Sequence, residues 1–451
     1  MNFSGGTETM AEQKYTISDI IETYISGDWG NDEPTEDASC PVSCIRGADI
    51  VPIYNSEYRN IPLRYISEKS LSNRALREGD IVIEKSGGSP TQSTGRVVYI
   101  SKELLEEKQD IVCSNFCAAF RIKPEWDAKY VYYYLQHVYN AGVFFNFEGK
   151  TSGLKNLIMD TAFKSITIKK IAIETQRSIA TVLSTIESKM AANRAINHYL
   201  EAMAKQLYDY WFVQFDFPDA NGNPYKSSGG KMIWNEKLRR EIPEGWEDCT
   251  LGRYVGRITN GLNPRKNFTL GHGNNYYVTI RSLLGTDIDW DNCDRCDDEA
   301  LTKINSRSQL TQGDVIFSAI GTIGRTFYIQ DFPSNWNISE TSFTLRAAES
   351  IPSDLFYCIL RSAEIQRQAD KNAMGSTLRC LVMDSLLKIP YIWIPDNLRV
   401  QYAKFVRPIL KQINELNKST RQLIMLRNET MLVLMNGQVS IKQLNNDLAN
   451  G

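Results

Sequence analysis

Leu76-Arg77-Glu78-Gly79-Asp80-Ile81-Val82 returns 234 residues later as Leu310-Thr311-Gln312-Gly313-Asp314-Val315-Ile316. Working outward, Thr16 reappears as Thr250, and Ile45-Arg46-Gly47 as Ile280-Arg281-Ser282. Gly95-Arg96 reappears as Gly324-Arg325. Leu154-Lys155-Asn156-Leu157-Ile158-Met159-Asp160 becomes Leu378-Arg379-Cys380-Leu381-Val382-Met383-Asp384. The separation drifts only from 235 residues at Ile45/Ile280 to 224 at Leu154/Leu378. A period that long is no solenoid or propeller unit. It describes a duplicated module, each copy of the order of one domain plus a helical segment. Two similar modules on one chain suit a ligand that is read at two places.

Each copy opens with strand patterns punctuated by Gly, Ser and Pro: Asp80–Lys85 and Arg96–Ile100 in the first, Asp314–Ser318 and Thr326–Ile329 in the second. Helices are predicted at residues 129–139 and 353–367. Each is followed by a turn, Gly149-Lys150-Thr151-Ser152-Gly153 or Met374-Gly375-Ser376-Thr377. Each copy then ends in a long helix. The first spans about 174 to 211, with apolar positions Ile179, Leu183, Ile186, Met190, Leu200, Ala204 and Leu207 in steps of three and four, and with Asn193 and Asn197 in the seam. That is coiled-coil spacing, and a seam asparagine sets register. The second spans about 397 to 434, through Ile409, Ile413, Leu416, Thr420 and Leu423, with Pro408 expected to kink it or delay its start. Each is roughly 55–60 Å long at 1.5 Å per residue. The stripe of an ordinary amphipathic helix packs on its own domain. Two such helices at equivalent positions bury both seams by pairing with each other.

The 451 residues hold about three folding units, with 42% hydrophobic and 23% charged residues. No run of eighteen apolar residues marks a membrane span, and no basic-then-apolar start marks a secretory signal. Residues 1–12 read as a flexible lead, with Met10 an alternative to Met1 as the true start. Nine cysteines in so long a chain are no disulfide scaffold, which favours the cytoplasm. A net charge of −2 argues against generic nucleic-acid binding, whose affinity comes from neutralising phosphates. Any DNA contact has to come from local patches or from a basic partner.

The segment Tyr208-Asp209-Tyr210-Trp211-Phe212-Val213-Gln214-Phe215-Asp216-Phe217-Pro218, followed by Ile242-Pro243-Glu244-Gly245-Trp246 and Leu251-Gly252, closely resembles the central region of the DNA-specificity subunits of type I restriction-modification systems. With the duplication, the resemblance covers essentially the chain from about residue 12. One departure is the first module, where Lys14-Tyr15-Thr16 lacks the Pro-Glu-Gly-Trp that precedes the second. The resemblance implies an α/β fold with two pseudo-symmetric target-recognition domains separated by two long antiparallel helices forming a coiled coil. The expected boundaries are a lead at 1–12, domain 1 at 13–173, the central helix and aromatic run at 174–217, linker and domain 2 at 218–395, the second long helix at 396–437 and a tail at 438–451. It also implies no catalysis and no cofactor of the chain's own. The implied partners are double-stranded DNA, two adenine-N6 methyltransferase (modification) subunits docked on the helices, and restriction endonuclease subunits.

The residues agree with that reading. No Asn/Asp-Pro-Pro-aromatic loop, Gly-x-Gly-x-x-Gly fingerprint or P-loop occurs. Asp80…Glu84-Lys85 places its lysine one residue too early for a nuclease strand. Cys40/Cys44, Cys113/Cys117 and Cys293/Cys296 lack second pairs at zinc-finger distance, so no metal site is assigned. Candidate DNA contacts are basic and small polar residues of Gly-rich loops: Arg46, Lys85, Ser89, Gln92, Arg96, Lys150, Ser152 and Lys155 in the first copy, and Arg281, Thr322, Arg325, Ser376, Thr377 and Arg379 in the second. Arginine grips guanine O6/N7, whereas lysine, serine and threonine suit phosphates. Residues matched between copies favour a structural or phosphate role. Gln92, in the unmatched part of its loop, is the better base reader. Tyr208, Tyr210, Trp211 and Phe212 are the expected partner-binding anchors; the competing reading has Trp211 and Phe212 plug the junction between helix and second domain. Two other classes remain open: a nuclease or methyltransferase with an unrecognised site, and a coiled-coil scaffold.

Overall fold

The computed structural model describes residues 13–88, 92–151, 154–265 and 267–436. Its contacts divide the chain into two units, Met1–Ala191 with Gln422–Gly451, and Ala192–Arg421. The expected lead at 1–12 and tail at 438–451 lie outside the described residues.

Seven strands frame the first unit: β1 Ile21–Ser26, β2 Cys40–Ile45, β3 Leu63–Ile66, β4 Ile81–Glu84, β5 Val97–Tyr99, β6 Ile111–Cys113 and β7 Cys117–Ile122. They form an antiparallel sheet in the order β1-β7-β4-β5 and a smaller one in the order β3-β2-β6, in which β2 and β6 run parallel. The second unit repeats this in β8 Val255–Asn260, β9 Asn275–Val278, β10 Asp294–Cys296, β11 Val315–Ser318, β12 Thr326–Tyr328, β13 Trp336–Ile338 and β14 Ser342–Ala347. Its sheets run β8-β14-β11-β12 and β10-β9-β13, again with one parallel pair, β9 and β13. Even the bulge recurs, between Ile21 and Thr23 and between Val255 and Arg257.

The central strands explain the quoted repeat. Ile81 and Ile83 enter one core while Val82 enters another on the opposite face. Val315 and Phe317 divide from Ile316 in the same way. Both faces are covered, so the strand is continuously apolar, and each fully buried side chain contributes about 1.5–3 kcal/mol. The aspartate just before each strand is buried and ion-paired. Asp80 accepts from both Arg121 nitrogens at 2.8 and 2.9 Å and from the Arg77 amide. Asp314 does the same with Arg346, at 2.8 and 3.0 Å, and the Thr311 amide. Leu-x-x-Gly-Asp is therefore a turn that satisfies its own polar groups before entering the core.

The predicted helix at 129–139 is α1, Ala128–Asn140. The one predicted at 353–367 is broken by Ser362 into α3, Ser353–Arg361, and α4, Ala363–Asn372, because the Ser362 hydroxyl caps the second piece through the Ile365 amide. The two long helices are α2, Ile173–Tyr208, and α5, Asp396–Met435. Pro408 does not delay α5; it lies inside the helix. In the first unit, Ile179 and Leu183 of α2 share a core with Met431 and Leu434 of α5. In the second, Asn193 donates to Ser419 and Thr420, and Asn197 donates to Asn417 at 2.6 Å. The higher number on α2 meets the lower on α5, so this pairing is antiparallel and the expected seam asparagines set its register.

Of the two readings of the aromatic run, the structure has the one in which Trp211 and Phe212 pack inside. After α2 a π-turn, Asp209–Val213, swings Trp211 and Phe212 into the second unit's core, with Trp211 3% exposed. Trp211 meets Tyr402 and Phe405 edge-on at 5.6 and 5.8 Å, and Phe212 lies 5.0 Å from Tyr402. Tyr208 is buried too. Of the four proposed partner anchors, only Tyr210 stays exposed, because the widened turn rotates its neighbours inward.

Candidate nucleic-acid interface

Two loops far apart in sequence meet in each unit. In the first, the chain leaving β4 at Ser86–Gly87 pairs with the strand Leu154–Leu157, which pairs with Glu148–Thr151. In the second, Ile320 and Met374 both bridge to Cys380, and the Gly321 amide donates to the Arg379 carbonyl. The loop after the central strand thus lies beside the Gly/Ser turn, joining the two sets of residues singled out in the sequence.

The base of the first loop is closed by two backbone bonds, Glu84 amide to Arg96 carbonyl at 2.9 Å and Gly95 amide to Glu84 carbonyl at 3.0 Å. Ser318, Gly324 and Arg325 close the second loop identically, at 2.8 and 3.0 Å. Gly95 and Gly324 hold φ of 98° and 87°, a region costly for a side chain. A Cβ there would lie 2.8 Å from the Phe144 ring or 2.1 Å from Gln366 Oε1. Gly-Arg is conserved between the copies because it shuts the loop. The interiors differ in length and chemistry between identical ends.

The charges on these loops are held differently. Arg46 is paired with Asp49, Nε and Nη2 donating at 2.9 Å each. Arg96 spans Glu84 at 2.6 and 2.8 Å. Hydrogen bonds to these carboxylates hold both guanidiniums further into their charged range. Lys155 Nζ lies 3.1 Å from Glu148, 3.3 Å from the Gln92 carbonyl and 4.9 Å from the centre of the Phe145 ring. In the second unit, Arg379 is paired with Asp370. Arg281 is exposed and has no ion pair among the described residues. The guanidinium of Arg325, also exposed, donates among the described residues to the carbonyls of Ile280 and Leu283, at 3.1 and 3.4 Å. Thr322 accepts at its carbonyl from Ser318, and Ser376 and Thr377 are exposed on the hairpin beside Gly375, whose φ is 99°. Gln92 is exposed and Lys85 half-buried. Ser89, Ser152 and the Lys150 side chain lie outside the described residues.

The carboxylates Asp49 and Glu148 were not singled out in the sequence, and Glu84 was weighed only as part of a nuclease-strand pattern. Asp49, three residues after Arg46 in a tight turn, was the readable one. Glu84 and Glu148 find their partners only through the folded sheet. Among the described residues no three His, Cys, Asp or Glu side chains gather into a metal site, and burial pushes the Cys44 thiol up to about 12 and that of Cys117 up to about 11. No described helix is long and apolar enough to cross a membrane.

Residues 13–202 match the family model described as the type I restriction modification DNA specificity domain. The type I restriction enzyme MjaIX specificity subunit of Methanocaldococcus jannaschii is 22% identical over 408 residues, covering 88% of each chain. The crystal structure of a type I restriction-modification S subunit from M. genitalium superposes with a TM-score of 0.55 at 15% identity, covering 95% of this chain and 96% of that one.

Proposed function

We propose, from the match of residues 13–202 to the type I restriction modification DNA specificity domain, that the chain is the sequence-reading subunit of such a system and performs no chemistry itself. Each module reads one half of a bipartite, asymmetric DNA target. The supporting observation is the pair of loops with superposable closures and unlike interiors: Glu84/Gly95/Arg96 and Ser318/Gly324/Arg325 fix the ends, while the residues between them differ. A shared frame presents different side chains to base edges, which is how two copies of one fold come to read different bases. Gln92 and Thr322, in the unmatched interiors of the two loops, are the groups assigned to that task, and Ser376 and Thr377, on the turn shared by both copies, are assigned to phosphates.

The partners follow from the same reading. Two adenine-N6 methyltransferase subunits dock on the long helices, restriction subunits complete the assembly, and the complex works in the cytoplasm on cellular DNA. Purified with its modification partner, the chain should direct S-adenosylmethionine-dependent methylation to one bipartite motif, and purified alone it should transfer no methyl group. Methyl transfer by the chain alone would make it an enzyme. Failure of the complex to bind any duplex would leave a scaffold.

A further inference from the structure

The two modules are alike in backbone and unlike in how they hold charge. The equivalent strands β2 and β9 run into equivalent tight turns, Gly47–Asp49 and Ile280–Ser282; Arg46 caps the first where Thr279 caps the second, and Arg281 stands inside its turn at the place of Ala48. In the first turn Asp49 takes both Nε and Nη2 of Arg46. The matching position in the second turn is Ser282, also buried, and Arg281 has no carboxylate partner among the described residues. The same substitution recurs at the loop base. Glu84 closes on Arg96, whereas its counterpart Ser318 spends its hydroxyl on the Thr322 carbonyl and the Arg325 amide. Arg325 is left with one amino group on the Ile280 and Leu283 carbonyls, against the residues flanking Arg281 and Ser282. Its Nε and second amino group are unpaired among the described residues.

We propose that Arg281 and Arg325 form a backbone-phosphate grip unique to the second module, while Arg46 and Arg96, on the corresponding turn and loop closure of the first, are internal braces that do not hold DNA. This rests on the reading of the chain as a DNA-specificity subunit. Four considerations favour phosphate as the ligand. A guanidinium fork binds phosphate oxygens through two parallel hydrogen bonds. Two such groups converge on one turn. Neither has a carboxylate partner among the described residues. Their places are fixed by shared backbone frame, not by the divergent loop interior where base readers belong. For a chain of net charge −2, two unneutralised arginines at one place are a substantial local attraction. The consequence is a division of labour: at these positions the second module supplies salt-sensitive affinity, and the first supplies none.

The experiment is binding of the complete chain, with its modification partner, to the duplex that the complex methylates, across a range of KCl concentrations. Each neutralised phosphate contributes about −0.9 to the slope of log affinity against log salt. Arg281→Gln with Arg325→Gln should flatten that slope by about 1.8, so that the variant loses roughly tenfold less affinity between ~50 and ~200 mM salt. The methylated motif should be unchanged. Arg281→Lys with Arg325→Lys, which keeps the charge, should keep the slope. Three results overturn the proposal: an unchanged slope in the glutamine variant, a slope lost as fully in the lysine variant, or relaxation of one base of the motif, which would make an arginine a guanine reader. Absence of binding by the parent complex would overturn the specificity-subunit reading instead, and the two failures are thereby told apart.

Discussion

Arg96 lays its guanidinium across both carboxylate oxygens of Glu84, at 2.6 and 2.8 Å, where the glutamate is only 2% exposed. The pair closes the first loop from beneath. Removing one partner of such a pair strands the other's charge in a poorly solvated place. Glu84→Gln should therefore cost about 2–4 kcal/mol of stability. It should also raise amide exchange across 85–96, as read by hydrogen exchange. A variant with parental stability and protection would show that the backbone bonds alone close the loop.

Trp211 and Tyr210 separate packing from docking. Trp211 sits among Tyr402, Phe405 and Phe212, so Trp211→Ala should destabilise the second unit by about 3–5 kcal/mol in urea unfolding. Tyr210, 38% exposed, should leave stability within about 0.5 kcal/mol when changed to alanine. If the aromatic run contributes to partner docking, Tyr210→Ala should weaken co-elution with the modification subunit. Full co-elution would remove the run from the interface.

Glu187 makes the first unit's stability respond to pH. Burial raises its carboxyl above the usual carboxylate range, opposed by the hydrogen bond from Tyr133, 2.7 Å away, and by the charge of Arg427. A raised value means that the folded chain retains a proton that the unfolded chain has lost. The contribution is therefore complete below the unfolded value of about 4.3 and disappears as pH rises through the folded value. Between pH 4 and 8 the parent should lose more stability than Glu187→Gln, which cannot ionise. Parallel urea midpoints for the two proteins would contradict this.

Much of this molecule was legible before any coordinates. Leu-x-x-Gly-Asp and Gly-Arg recur because a turn and a loop closure constrain backbone, and such constraints leave their residues in the sequence. The long helices were readable from seam spacing, down to Asn193 and Asn197. The meaning of the charges was not legible. Arg96 and Arg325 are one letter in one motif, yet Glu84 in one strand and Ser318 in the other make the first a brace and leave the second exposed. Trp211 and Phe212 stood between docking and packing for a similar reason: which way an aromatic run after an amphipathic helix faces is set by the π-turn that turns it inward. Pro408 lies within α5, where propensity alone would have broken the helix.

The central claim is that each module reads its own half of the target. It is tested most directly by replacing residues 13–160 with the corresponding module of a related specificity subunit, in cells carrying the modification partner, and mapping N6-methyladenine across the genome. The account predicts a new motif in which one half is exchanged and the other, read by the module around Arg281, Thr322 and Ser376, is unchanged base for base. A folded, active hybrid whose methylated motif changes in both halves, or in neither, would contradict it.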